Sequence, residues 1–163
     1  MNDSWNPQIS QKYPNKFPDH ILQFFHNILA LVENERELTD YEYNWKALNQ
    51  LKNDMIIESD GKEEDKKIHI PRQIRIGSIY FKESNSKAKG LLINLRHAFA
   101  HDYIEVHTSN NAEIVKIALP QNSDNTKFKL VCFLTFSDLV KVVDKILSSK
   151  KKTQQKSKSN NCK

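Results

Sequence analysis

Residues 86–101 read SKAKGLLINLRHAFAH, from Ser86 to His101. Apolar side chains fall at Ala88, Leu91, Leu92, Leu95, Ala98 and Phe99, the i, i+3, i+4, i+7, i+10, i+11 spacing of one helical face. This is the clearest helix in the chain. Downstream, 103–107 and 113–119 are two short β-like runs. A third, 127–134, sets Phe128, Leu130, Cys132 and Leu134 in alternation with other residues. Thr135, with Asp138 three positions on, opens a last amphipathic helix carrying Leu139, Val142, Val143, Ile146 and Leu147. Upstream, Asp19 stands where an N-cap belongs, ahead of Ile21, Phe25, Ile28 and Val32 at helical spacing. Thr39 and Glu42 form the reciprocal capping-box pattern, which predicts a second helix through Trp45, Leu48 and Leu51 towards Ile57. Positions 59–67, SDGKEEDKK, hold no apolar side chain and read as a solvated loop. Positions 68–79 fit an extended stretch, with the following FKES open to either structure.

The 163 residues suit one domain with a real core. Glycine occurs only at Gly61, Gly77 and Gly90, so there is no glycine cluster to bring backbone N–H groups to a phosphate. Nucleotide-binding loops of the Walker and dinucleotide kinds are thereby excluded. Cys132 and Cys162 have no further cysteine partners, which excludes a disulfide framework or a cysteine-rich zinc site. Of the 25 Lys and Arg residues, six lie in 150–163, leaving 19 against 20 acidic residues in the body. The net charge of +5 therefore belongs to the tail and not to a basic globular face. No apolar run is long enough to cross a membrane and the N-terminus has no signal-like core, so a soluble, cytoplasmic protein is expected. The expected organisation is an irregular lead-in at 1–18 containing Pro7, Pro14 and Pro18, one domain at 19–149, and a Lys-rich disordered tail at 150–163.

Chemistry is concentrated at the end of the 86–101 helix. His97 and His101 stand one turn apart, a spacing that can hold a metal, with Asp102 or His107 as the third ligand. The stretch HAFAH, however, lacks the glutamate that a zinc protease uses as general base. At 100° per residue, Arg96 borders one edge of the apolar stripe, while Asn94, His97 and His101 border the other. Arg96 and His101 then lie about 140° apart on one helix and cannot easily serve a single phosphate. Two copies packed stripe to stripe about a two-fold axis would bring the Arg of one near the His of the other, which predicts a homodimer with a composite cleft.

Arg96, His97 and His101, in the setting LINLRHAFAHDYIEV, resemble the signature of the HEPN superfamily: Arg, a polar residue, and a His a few positions later near the end of a core helix. The last third is similar to a HEPN subgroup whose motif helix leads into a β-hairpin and a closing helix. The resemblance implies a mostly α (α+β) fold, a HEPN-like antiparallel helical bundle with a small β-hairpin or sheet between the motif helix and the C-terminal helix. It also implies a homodimer and metal-independent endoribonuclease activity without a cofactor, in a toxin or defence role. On that reading His101 is the general base or acid, an imidazole being able to serve as either near neutral pH. Arg96 holds the phosphate, and His97 orients the pair. Asn94, Lys87, Lys89, Asp102 and Tyr103 are the candidate substrate contacts. RNA is the expected partner, with an antitoxin or other regulatory protein as a second. HEPN toxins silenced by nucleotidyl transfer carry a Tyr four positions after the motif His, where this chain has Glu105. The alternatives are a non-catalytic nucleotide-binding or protein-interaction module, a metalloenzyme built on His97 and His101, and a helical domain in which RHAFAH has no chemical role.

Overall fold

Ser86 caps the motif helix as its sequence demands: its hydroxyl accepts from the Lys89 N–H at 3.1 Å. The structure is a computed structural model that describes residues 4–8, 16–34, 38–60, 68–83, 86–121 and 127–152. Its long helices among the described residues are α1 (Asp19–Glu33), α2 (Lys87–Ala100) and α3 (Phe136–Ser148). The strands are β1 (Ser4–Trp5), β2 (Tyr41–Glu42), β3 (Ile56–Asp60), β4 (Ile74–Arg75), β5 (Ser78–Lys82), β6 (Ile104–Ser109), β7 (Ala112–Pro120), β8 (Phe128–Thr135) and β9 (Lys151–Lys152).

The expected helical bundle is not what forms. The centre is a five-stranded mixed sheet in the order β3-β5-β8-β7-β6, parallel between β3 and β5 and antiparallel elsewhere. The misjudged stretch is 39–57. Its apolar spacing fits a helix locally, yet the chain there makes β2, two single 3₁₀ turns (Trp45–Leu48 and Leu51–Asn53) and then β3. Asn44 caps the first of these turns, with its side-chain oxygen accepting from the Lys46 N–H at 3.0 Å. The β-branched pair Ile56–Ile57 gains a ladder with Ser78 and Ile79 of β5, and that long-range pairing overrides the capping-box signal. FKES likewise begins as strand, since β5 runs through Phe81 and Lys82.

Alternation along the strands divides the core in two. Ile57, Ile79, Phe81, Val115, Ile117, Leu119, Leu130, Cys132 and Leu134 face the helices. There they meet Ile21, Phe25 and Ile28 of α1, the whole apolar stripe of α2, and Leu139, Val142, Val143 and Ile146 of α3. Tyr80, Ile114, Val131 and Phe133 face the other way, under Trp5, Ile68, Ile70 and Ile74. Both faces are therefore covered, which is why β5, β7 and β8 read as nearly continuous apolar runs.

Three turns position the later strands. Gly77, at φ 93°, lets the chain fold between β4 and β5 while its N–H donates to the Phe133 carbonyl at 2.7 Å. Asn110 and Asn111, both at positive φ, close the β6–β7 hairpin, because a two-residue turn of the required twist needs left-handed backbone at both centres. Asp102, at φ 63°, ends α2, and the Tyr103 N–H reaches back to the Ala98 carbonyl at 2.9 Å in a Schellman closure. Thr135 caps α3 as its sequence predicts, accepting from the Asp138 N–H at 3.1 Å. Of the expected lead-in, Ser4 and Trp5 pair with β4; at the start of the expected tail, Lys151 and Lys152 pair with β2. Positions beyond 152 lie outside the described residues, and among those described no helix is long and apolar enough to cross a membrane.

Candidate functional site

The Schellman closure at Asp102 fixes where α2 stops and so where its last two histidines stand. His97 lies in the final turn, half-buried, and His101 is the exposed C-cap residue, its N–H donating to the His97 carbonyl at 3.1 Å. Their rings are 6.4 Å apart, centroid to centroid, and inclined at 62°. The two imidazoles thus form one face, as their i, i+4 spacing requires. Burial pushes the His97 pKa below the ordinary imidazole value, and the positive charges of Lys129, Arg96 and His101 push it the same way. A neutral His97 at pH 7 can accept a proton or a hydrogen bond.

Arg96 points elsewhere. One of its terminal nitrogens, Nη2, donates to Glu33 Oε1 at 3.0 Å, on the last residue of α1. This bond follows from the way α1 lies on α2, with the Phe25 and Phe99 rings stacked 5.4 Å apart at 8°. Arg96 thus has its partner on α1, while its charge still acts on His97.

The remaining candidates scatter. Asn94 is buried, and its side-chain N–H₂ group donates to the carbonyls of Lys82 at 3.2 Å and Lys129 at 3.4 Å. It ties α2 to the ends of β5 and β8, and its donors are occupied by that tie. Lys87 pairs with Glu83 at 3.3 Å and lines a cleft of about 260 Å³ together with Trp45, Asp60, His69 and Tyr80. Lys89 donates to the Leu38 carbonyl. Both lysines sit in the first turn of α2, roughly 18 to 21 Å along the axis from His101. Asp102 is the left-handed terminator, and Tyr103 packs against the helix-side core. Only Asp102 and Tyr103 thus stay beside the histidines. For the metal alternative, no group of three or more His, Cys, Asp or Glu side chains gathers among the described residues. His107 pairs with Ile114, whose side chain belongs to the face of the sheet away from α2.

Two residues of the site escaped the sequence reading. Glu33 gave no signal, because its role depends on the docking of α1. Lys129 left a faint one. Leu119 pairs with Leu130 but Pro120 pairs with Phe128, so Lys129 is the extra residue of a β-bulge. Pro120, which lacks an N–H, marks the place where the ladder fails. Alternation counted straight through the bulge puts Phe128 on the helix side with Leu130, whereas it packs on the opposite face. A search of protein-family models, of curated proteins and of solved structures finds no match to this chain, so the chemistry of the site has to be argued from its own residues.

Proposed function

We propose that this protein is a metal-independent endoribonuclease that acts as a homodimer, with Arg96 of one copy and His101 of the other at each of two composite sites. The observation that carries it is the pairing of His97 with His101 on one face of the α2 terminus while Arg96 bonds to Glu33 of α1. On this reading a single chain supplies half of an Arg–His site, and a two-fold partner would supply the other half. Support comes from the resemblance of Arg96, His97 and His101 to the HEPN signature, confined to this helix end, because the bundle implied by that resemblance is replaced here by a mixed sheet.

The chemistry needs one base, one acid and one anion holder. An imidazole takes the proton of a ribose 2′-OH; the 2′-oxygen attacks phosphorus, the bond to the 5′-oxygen breaks, and a protonated imidazole returns a proton to that oxygen. The products are a 2′,3′-cyclic phosphate and a 5′-OH. His101 is exposed and able to approach either oxygen, and His97 stands beside it to orient it or the substrate. Arg96 keeps donors beyond the one given to Glu33, and its planar fork suits the extra charge of the pentacoordinate phosphorus.

The second reading is a non-catalytic nucleotide-binding or protein-interaction module. The Arg96–Glu33 pair favours it, since an arginine already bonded to a carboxylate can serve simply to hold α2 on α1. Purified protein incubated with mixed RNA in EDTA, beside Arg96→Ala and His101→Ala, separates the two. Chelator-resistant cleavage that leaves cyclic-phosphate ends and is lost in both variants supports the nuclease. An intact protein that leaves RNA uncut supports the module.

A further inference from the structure

Strand β6 is an edge of the central sheet: among the described residues it pairs with β7 alone. The hairpin fixes which of its backbone groups are taken. Ser109 and Ala112 flank the two-residue turn, and the Tyr103 carbonyl accepts from the Ala118 N–H at 3.4 Å. Tyr103, Glu105, His107 and Ser109 therefore direct their backbone bonds to β7, while Ile104, Val106 and Thr108 turn theirs outward. Sheet edges are usually blunted by proline, lysine or a bulge. Positions 104–109, IEVHTS, hold neither residue, and their pairing with β7 runs without a register shift.

The side chains make this edge complementary to itself. An antiparallel copy centred on Val106 sets Val106 against Val106 and Ile104 against Thr108, so that every outward backbone group meets one on the other copy. On the face away from the helices it sets Glu105 against His107, twice over. Nδ1 of His107 is buried and unpaired within its own chain, so the ring proton belongs on Nε2, where it can be donated to a carboxylate. Moving the axis back to Glu105 would set that carboxylate against its own copy and leave Thr108 beyond the partner strand. Moving it forward to His107 would set imidazole against imidazole and leave Ile104 unpaired. The opposite edge of the sheet has no such complement: β3 carries Glu58 and Asp60 with no basic residue, so pairing two copies about Glu58 would oppose carboxylates.

We propose that β6 is a self-association surface, where a second copy of this chain adds its own β6 antiparallel about a two-fold axis through Val106 and continues the sheet from one copy into the other. This inference goes beyond the composite site proposed above and does not rest on it, since it is argued from β6 alone. It bears on that site through connectivity. Only Asp102 and Tyr103 separate His101 from β6, so each α2 terminus stands at the rim of the interface, on the side where the β6–β7 turn of the second copy projects.

The test is the mass of the full chain in solution by sedimentation equilibrium, for the native protein and variants of the edge. The native protein is expected at twice the chain mass. Val106→Lys places two like charges on the axis and is expected to give a monomer with native circular dichroism. Thr108→Pro removes only an outward N–H at an exposed position, and replaces Val106→Lys if that variant fails to fold. His107→Glu, which opposes carboxylates at both ends, is expected to weaken the dimer by about tenfold. Adding Glu105→Lys to it is expected to restore the dimer, a recovery that only the Val106-centred register provides. A monomeric native protein overturns the interface, as does a dimer that neither Val106→Lys nor Thr108→Pro weakens; no recovery in the double variant overturns the register. A dimer broken by Val106→Lys in a protein that leaves RNA uncut upholds the interface and removes the nuclease. Cleavage of RNA by a native monomer keeps the nuclease and removes the interface.

Discussion

Arg96 Nη2 lies 3.0 Å from Glu33 Oε1, which joins the final turns of α2 to the last residue of α1 across 63 positions of chain. Glu33 is in an awkward place for a carboxylate, because helix C-terminal carbonyls repel negative charge and the last turn of α1 carries no basic residue. The arginine that neutralises it is the one proposed to hold phosphate. Glu33 is largely exposed, so the bond is worth no more than about 1 kcal/mol. Glu33→Gln is therefore expected to leave the thermal midpoint nearly unchanged and to raise RNA cleavage at subsaturating substrate, by freeing Arg96. A large fall in the midpoint with no gain in cleavage would assign the pair to structure alone.

Arg96→Ala should cost under about 1 kcal/mol of stability, for the same reason. It should lower cleavage by roughly a hundredfold or more, as loss of a donor aimed at a developing anion does. Arg96→Ala and His101→Ala proteins, each inactive, should recover activity when unfolded and refolded together. Half of the resulting dimers are mixed, each with one intact site, so the mixture should reach about a quarter of the native rate. No recovery in a mixture shown to contain mixed dimers would place Arg96 and His101 in one chain's site or in none.

His97 makes stability depend on pH. In the unfolded chain it titrates near its ordinary value of 6.5, and in the folded chain its pKa is lower, chiefly through burial. Between those values the unfolded state binds more protons, so stability is complete above pH 6.5 and falls as the pH drops through the folded value. His97→Gln should flatten the decline below pH 6.5 in urea unfolding curves while leaving other pH-dependent contributions in place. An unaltered slope would mean that the imidazole is as freely solvated in the folded chain as in the unfolded one.

Asn94→Ala removes a buried donor shared by two strand ends. Loss of its two hydrogen bonds to the Lys82 and Lys129 carbonyls should cost about 1–3 kcal/mol in denaturant unfolding. Gly77→Ala should also destabilise by about 1–2 kcal/mol, although an added Cβ would meet nothing closer than the Asp54 carbonyl oxygen at 3.7 Å. The cost there is the left-handed φ and not a lack of space.

Much of the chain could be read from its residues. The Ser86 cap and apolar stripe specify α2, the Thr135 cap and its stripe specify α3, and the three β-runs after the motif are strands β6, β7 and β8. Hydrogen bonds between neighbours and a repeating apolar period are written locally, so a single sequence displays them. The adjacency of His97 and His101 is of the same kind, a consequence of helical pitch.

The rest depended on partners distant in the chain. Thr39 and Glu42 make a valid capping box, yet the β-branched Ile56–Ile57 found better partners in β5, and a stretch with helical spacing became turns and strand. That single pairing helped turn an expected bundle into a sheet with helices on one face. Asn94 sits at the polar edge of a helical wheel, but the wheel cannot show that strand carbonyls lie beneath it. Lys129 owes its place to a bulge opposite Pro120, and Arg96 its partner to the docking of α1. The sequence by itself determined which side chains share a helix end; tertiary structure decided which charges face them, because electrostatic neighbours come from whatever elements the core brings together.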